Sequence, residues 1–115
     1  MARRLTPLPA AEFRSICARI DEGTADRADL KAATKHLLAL LVQRAPGTSV
    51  EVRVPPFVAV QCIPGARHTR GTPPAVVEMD AATWIALARG SLDWADAPVR
   101  ASGERSDISG YLPLV

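Results

Sequence analysis

Residues 76–114, VVEMDAATWIALARGSLDWADAPVRASGERSDISGYLPL, constrain the fold more than any other part of the chain. A short apolar strand over 75–79 runs into Asp80, a residue type that caps helix N-termini. The following helix carries Trp84, Ile85, Leu87 and Ala88 on one broad apolar face, and Gly90 is placed to end it. A second strand over 99–102 reaches Gly103. The order strand–helix–strand predicts a parallel, right-handed crossover. Ile108, Tyr111 and Leu112 are expected to pack a short tail against the core.

Upstream the pattern is helical. Residues 1–8 read as a loose basic lead-in to a first helix opened by Pro9, with Phe13, Ile16, Cys17 and Ile20 on one stripe and Gly23 as terminator. Asp26 and Asp29 predict an acidic N-cap for a second helix over 27–44. Its Leu30, Ala33, Leu37, Leu38 and Leu41 are expected to face inward, with Lys31, Lys35, His36 and Gln43 facing water. From Ser49 the period changes to two: Val50, Val52 and Val54 alternate with Glu51 and Arg53, a half-exposed strand. After Pro55-Pro56 the run FVAVQCI (57–63) is apolar on both faces apart from Gln61, which predicts a more central strand than the first. The expectation is one α+β domain over 1–115. It comprises a lead-in and N-terminal helix (1–24), then a helix plus sheet core (25–115). The mixed sheet has four or five strands, helices on one face and a β-α-β crossover.

Composition narrows the function. Only five of 115 residues are aromatic, Phe13, Phe57, Trp84, Trp94 and Tyr111, and the net charge is +2 with no basic run, which argues against a nucleic-acid partner. The longest apolar stretch, Leu37–Val42, is far too short to span a membrane, so no integral membrane association is expected. The start, Met-Ala-Arg-Arg followed by prolines, lacks the apolar core of a secretory signal, which predicts a cytoplasmic location. Cys17 and Cys62 are isolated and read as reduced core residues.

Catalytic signatures are sparse. There is no glycine-rich phosphate loop. His36 and His68 lack metal-ligand spacing, and Ser106, Asp107 and Ser109 have no histidine near them in sequence. The expectation is therefore a protein that is not an enzyme and needs no cofactor and no metal. The most polar concentration, Arg67, His68, Thr69, Arg70 and Gly71, suits contact with an anion or a lipid headgroup, or serves only as a solvated loop. Trp84 and Trp94 suit either a core or the wall of an apolar cavity.

Several blocks resemble a known family. The helix residues Asp80, Trp84, Leu87, Ala88 and Gly90, then the strand ending at Gly103, are similar to the sterol carrier (non-specific lipid-transfer) proteins. VEVRVPPF at 50–57, AVQC at 59–62, RHTRGTPP at 67–74, WADA at 94–97 and VRASGERSD at 99–107 resemble the bacterial sterol-carrier orthologue group more closely, over about residues 50–114. The resemblance implies a sterol-carrier-like fold and non-catalytic binding of a fatty acyl, sterol-like or other lipid between sheet and helices. With the aliphatic inventory it puts Phe57, Val58, Val60, Val76, Trp84, Leu87, Trp94 and Leu112 on the hydrophobic wall. The alternative is a protein-interaction module with a filled core and no ligand, in which an uncovered apolar patch makes a homodimer.

Overall fold

Helix α1 (Ala10–Glu22) starts immediately after Pro9 and ends at Gly23, which takes the left-handed C-cap conformation. The computed structural model describes residues 5–65, 74–103 and 106–115. Helix α2 (Arg27–Arg44) opens with a capping box. The Asp26 carboxylate accepts from the Asp29 N–H at 2.8 Å, and the Asp29 carboxylate accepts from the Asp26 N–H at 3.2 Å. Asp29 also receives both nitrogens of the Arg19 fork, at 2.8 and 2.9 Å, so the cap that starts α2 fastens it to α1. Arg19 and this capping box together hold the Asp29 carboxyl below its ordinary pKa.

Four strands follow: β1 (Val50–Val54), β2 (Val58–Cys62), β3 (Ala75–Glu78) and β4 (Arg100–Ser102). They form a mixed sheet in the order β2-β1-β3-β4. Helix α3 (Ala81–Arg89) lies between β3 and β4; its N-cap Asp80 accepts from the Thr83 N–H at 2.8 Å, and Gly90 is its left-handed C-cap. Short 3-10 turns at Trp94–Asp96 and Ser109–Tyr111 complete the described elements. This is the expected α+β, sterol-carrier-like architecture.

The strand directions correct two expectations. β3 and β4 are antiparallel, with Val77 opposite Ala101, so the helical crossover does not return in parallel. Residues 90–99, which include the 3-10 turn at Trp94–Asp96, connect α3 to β4. The parallel pair is β1 with β3, Val52 opposite Val77. Among the described strands the apolar β2 is also not more central than β1: it lies at one end of the order, antiparallel to β1 with Val52 opposite Val60. β1 reads as half-exposed because the sheet has one open face, and a central strand in such a sheet still alternates.

That alternation sorts the side chains. Val50, Val52, Val54 and Val77 are fully buried beneath the helices. Glu51, Arg53, Val76 and Glu78 point to the other face, where Arg53 pairs with Glu51 and Arg100 approaches Glu78 at 4.0 Å. Trp84 is fully buried against α2 and donates its indole N–H to the Thr34 carbonyl at 3.2 Å. The Arg44 guanidinium gathers the carbonyls of Tyr111 (3.0 Å) and Pro113 (2.8 Å), and the Leu114 N–H reaches Ala88 O at 2.8 Å. The tail is thereby tied between the ends of α2 and α3.

Neighbouring valines of β3 test the face assignment. Val77→Ala is expected to lower unfolding free energy by about 2 kcal/mol or more. Val76→Ala, on the open face, should cost less than about 1 kcal/mol. Urea unfolding of the two variants decides it, and equal losses contradict the assignment.

Candidate functional site

One concavity among the described residues is a half-open groove of about 780 Å³ where α2 passes β2. α2 contributes Ala39, Val42 and Gln43, and the α2–β1 turn contributes Pro46, Gly47 and Thr48. β2 contributes Ala59, Val60 and Gln61, with Glu51 from β1 and Leu5 from the segment before α1. The volume falls within the range usual for small-molecule sites. Its apolar surface comes from Leu5, Ala39, Val42, Pro46, Ala59 and Val60, and its polar groups from Gln43, Thr48, Glu51 and Gln61. The lining suits an apolar chain with a polar end. Among the described residues no cluster of three or more His, Cys, Asp or Glu is placed to hold a metal.

The local chain path explains why space is left there. Gly47 has φ +155°, and a Cβ on it would lie 2.1 Å from the Ile63 carbonyl oxygen, so only glycine lets the α2–β1 turn close against the end of β2. Ile63 has φ 73°, a strained conformation for a β-branched residue. It is held by its N–H to Ala45 O (2.6 Å) and by the Ser49 N–H and hydroxyl on its carbonyl (3.2 and 2.8 Å). Gly47 of this knot lines the groove, to which α2 and β2 each contribute a small residue, Ala39 and Ala59.

Leu5 reaches the groove because the segment before α1 is anchored: of the loose lead-in expected over residues 1–8, residues 1–4 lie outside the described residues and residues 5–8 are held against the core. Leu5 and Leu8 pack against the core, and the Leu8 N–H donates to His36 Nδ1 at 2.8 Å. His36 in turn is buried and stacks on Phe13 with ring centroids 4.0 Å apart. The expectation that His36 faces water fails because α2 is covered on more than one side: Ala33, Thr34, His36, Leu37, Leu38, Ala39 and Leu41 are all buried. Burial pushes the imidazole pKa below its ordinary value of 6.5.

Of the eight wall residues expected from sequence, Val60 lines the groove. Trp84 and Leu87 are in the close-packed core under α3. Phe57, Val58, Trp94 and Leu112 are partly buried against that core, with the Arg27 guanidinium 5.3 Å above the Phe57 ring. Val76 lies on the open sheet face opposite Glu51. Arg67, His68 and Arg70 lie outside the described residues. Sequence reading did not select Leu5, Ala39 and Val42. Ala39 and Val42 are three apart on α2, which is a helical-face signal, whereas Leu5 sits in a proline-rich segment with no periodicity. Cys62 is buried, with its thiol pKa pushed up to about 12, which makes it an inert packing residue.

The model of a family described as bacterial SCP ortholog matches residues 26–114. That stretch covers α2, all four strands and α3, and so every groove element except Leu5. No curated protein matches the chain.

The His36 clip carries a pH signature. The folded state keeps the ring neutral, so below 6.5 the unfolded chain binds more protons than the folded one. Its contribution to stability is complete above 6.5 and is lost as pH falls from there toward the lower folded-state value. In urea unfolding across this window, His36→Gln should flatten that part of the profile. An unchanged slope contradicts the assignment.

Proposed function

The chain belongs to the bacterial SCP-ortholog family, a sterol-carrier-like group, and from that premise we propose that it binds an apolar or amphipathic small molecule without making or breaking a bond in it. The ligand class is a fatty acyl chain, a sterol-like molecule or another lipid, and the site is the groove between α2 and β2. The observation that supports this most is the groove itself: apolar on α2 and β2, polar at Gln43, Thr48, Glu51 and Gln61, and open on one side.

The energetics suit reversible binding. Each methylene removed from water contributes about 0.8 kcal/mol, so roughly eight of them supply about 6 kcal/mol before the cost of immobilising the chain. A half-open groove leaves part of the ligand wet and lets it enter and leave sideways. An affinity of tens of micromolar, about −6 kcal/mol, is the upper end of what those methylenes alone support. Hydroxyl and amide groups on the ligand would find partners in the Gln43 and Gln61 side chains.

Native mass spectrometry of gently purified protein should show a stoichiometric lipid. A fluorescent fatty-acid probe should bind saturably and be displaced by unlabelled lipid. Val42→Glu, which sets a carboxylate into the apolar wall, is expected to weaken the probe at least about tenfold. Val76→Ala, on the open sheet face, should leave affinity unchanged. Probe binding unaffected by Val42→Glu moves the ligand out of this groove, and absence of any displaceable binding removes the reading.

A further inference from the structure

We propose that His36 positions one wall of the groove and releases it on protonation: the neutral ring clips the segment Leu5–Leu8 in place, and a proton taken up at Nδ1 undoes the clip. The consequence for ligand affinity rests on the groove being the ligand site. The movement of the segment does not.

The arm that joins the two places is short and stiff. Leu5 lines the groove and Leu8 is clipped, and three residues of chain separate them by at most about 11 Å. Pro7 and Pro9 alternate with Thr6 and Leu8, which fixes φ at two positions between Leu5 and α1. Leu5 and Leu8 also pack against the core, but apolar contact has no direction. The bond from the Leu8 N–H to His36 Nδ1, at 2.8 Å, is what sets where the segment lies.

That bond exists in one protonation state. To accept at Nδ1 the ring must be neutral, with its proton on Nε2. A second proton occupies the Nδ1 lone pair and turns the acceptor into a donor that faces a donor. Burial makes the choice sharp. His36 is buried and stacked on Phe13, and burial is the one cause that lowers its pKa. The charged residues beside this contact are Glu12 and Arg14, which flank Phe13 on α1, and Lys35, next to His36 on α2. None of them moves the titration of the ring, and Leu5–Leu8 carries no charge. The imidazolium therefore finds partners for its two N–H groups in water, which requires the segment to move off.

A ligand that uses the Leu5 wall binds the clipped form, so one proton opposes it. Affinity is level above the folded-state pKa of His36, which lies below 6.5, and falls by up to about tenfold for each pH unit beneath it.

NMR of the ligand-free protein from about pH 8 to about pH 5 tests the clip directly. The His36 ring, the Leu8 amide and the Leu5 methyls should titrate with one midpoint below 6.5, while the amide of Leu38, in the core of α2, stays unmoved. His36→Asn sets an amide oxygen where Nδ1 stands and does not titrate, so the Leu5 and Leu8 changes should vanish in it. A fluorescent fatty-amide probe, which does not ionise in this range, should show a Kd that rises about tenfold per pH unit below the midpoint in wild type and stays level in His36→Asn. Leu5 and Leu8 signals that ignore the His36 midpoint overturn the proposal, as do changes that persist in His36→Asn or that arrive together with Leu38. The wild-type titration decides the matter even where the variant fails to fold. Saturable probe binding with one Kd across the midpoint overturns the coupling to the groove. A probe that binds at no pH removes the ligand reading alone, and the ligand-free titration still decides the clip.

Discussion

The structure depends on helix α2 being covered on several sides at once. Its seven buried residues include Thr34 and His36 as well as the leucines, so the usual single apolar stripe is insufficient. Two polar groups on the covered flanks have specific neighbours, whereas the buried Thr34 hydroxyl has no hydrogen-bond partner among the described residues. The Thr34 carbonyl takes the Trp84 indole N–H, and His36 Nδ1 takes the Leu8 N–H. At its two ends α2 is held by the Arg19–Asp29 fork and by Arg44 on the C-terminal carbonyls. With the helix held this way, the sheet needs only one apolar face, and the charged rows of Glu51, Arg53, Glu78 and Arg100 can remain in water.

The groove is a consequence of the same arrangement. α2 runs past the edge of the sheet, and at that edge its side chains are Ala39, Val42 and Gln43 in place of leucine. Gly47 and the strained Ile63 hold the turn tight against the strand, while Leu5, carried by the segment clipped to His36, borders the groove. Space remains because the large residues, Trp84 and the leucines, are committed to the core, and small ones line the edge. A binding function therefore costs the core little.

Much of this was legible in the sequence, and the failures have physical causes. The capping residues Asp26 and Asp80 and the stops Gly23 and Gly90 placed the helices because they act through the local backbone. The α+β class and the sterol-carrier likeness followed from element order and from blocks such as VEVRVPPF. Strand order was not legible. An apolar run such as FVAVQCI looks central, yet residues at an edge can be apolar when a helix and a groove adjoin them. His36 looked solvated because nothing in its own helix tells that Phe13 and Leu8 will cover it. The groove depends on which residues several elements bring together, which local pattern does not show; of the wall candidates chosen by size, Trp84 and Leu87 are in the close-packed core and Trp94 is only partly buried against it.

The central claim is that an apolar chain lies between α2 and β2, and amide chemical-shift mapping during titration with a fatty acid tests it most directly. The account predicts saturable shifts concentrated at Leu5, Ala39, Val42, Gly47, Ala59 and Val60, with the open-face residues Arg53 and Glu78 unmoved. Shifts centred instead on α3 and the tail near Leu112, or scattered without saturation, would contradict it.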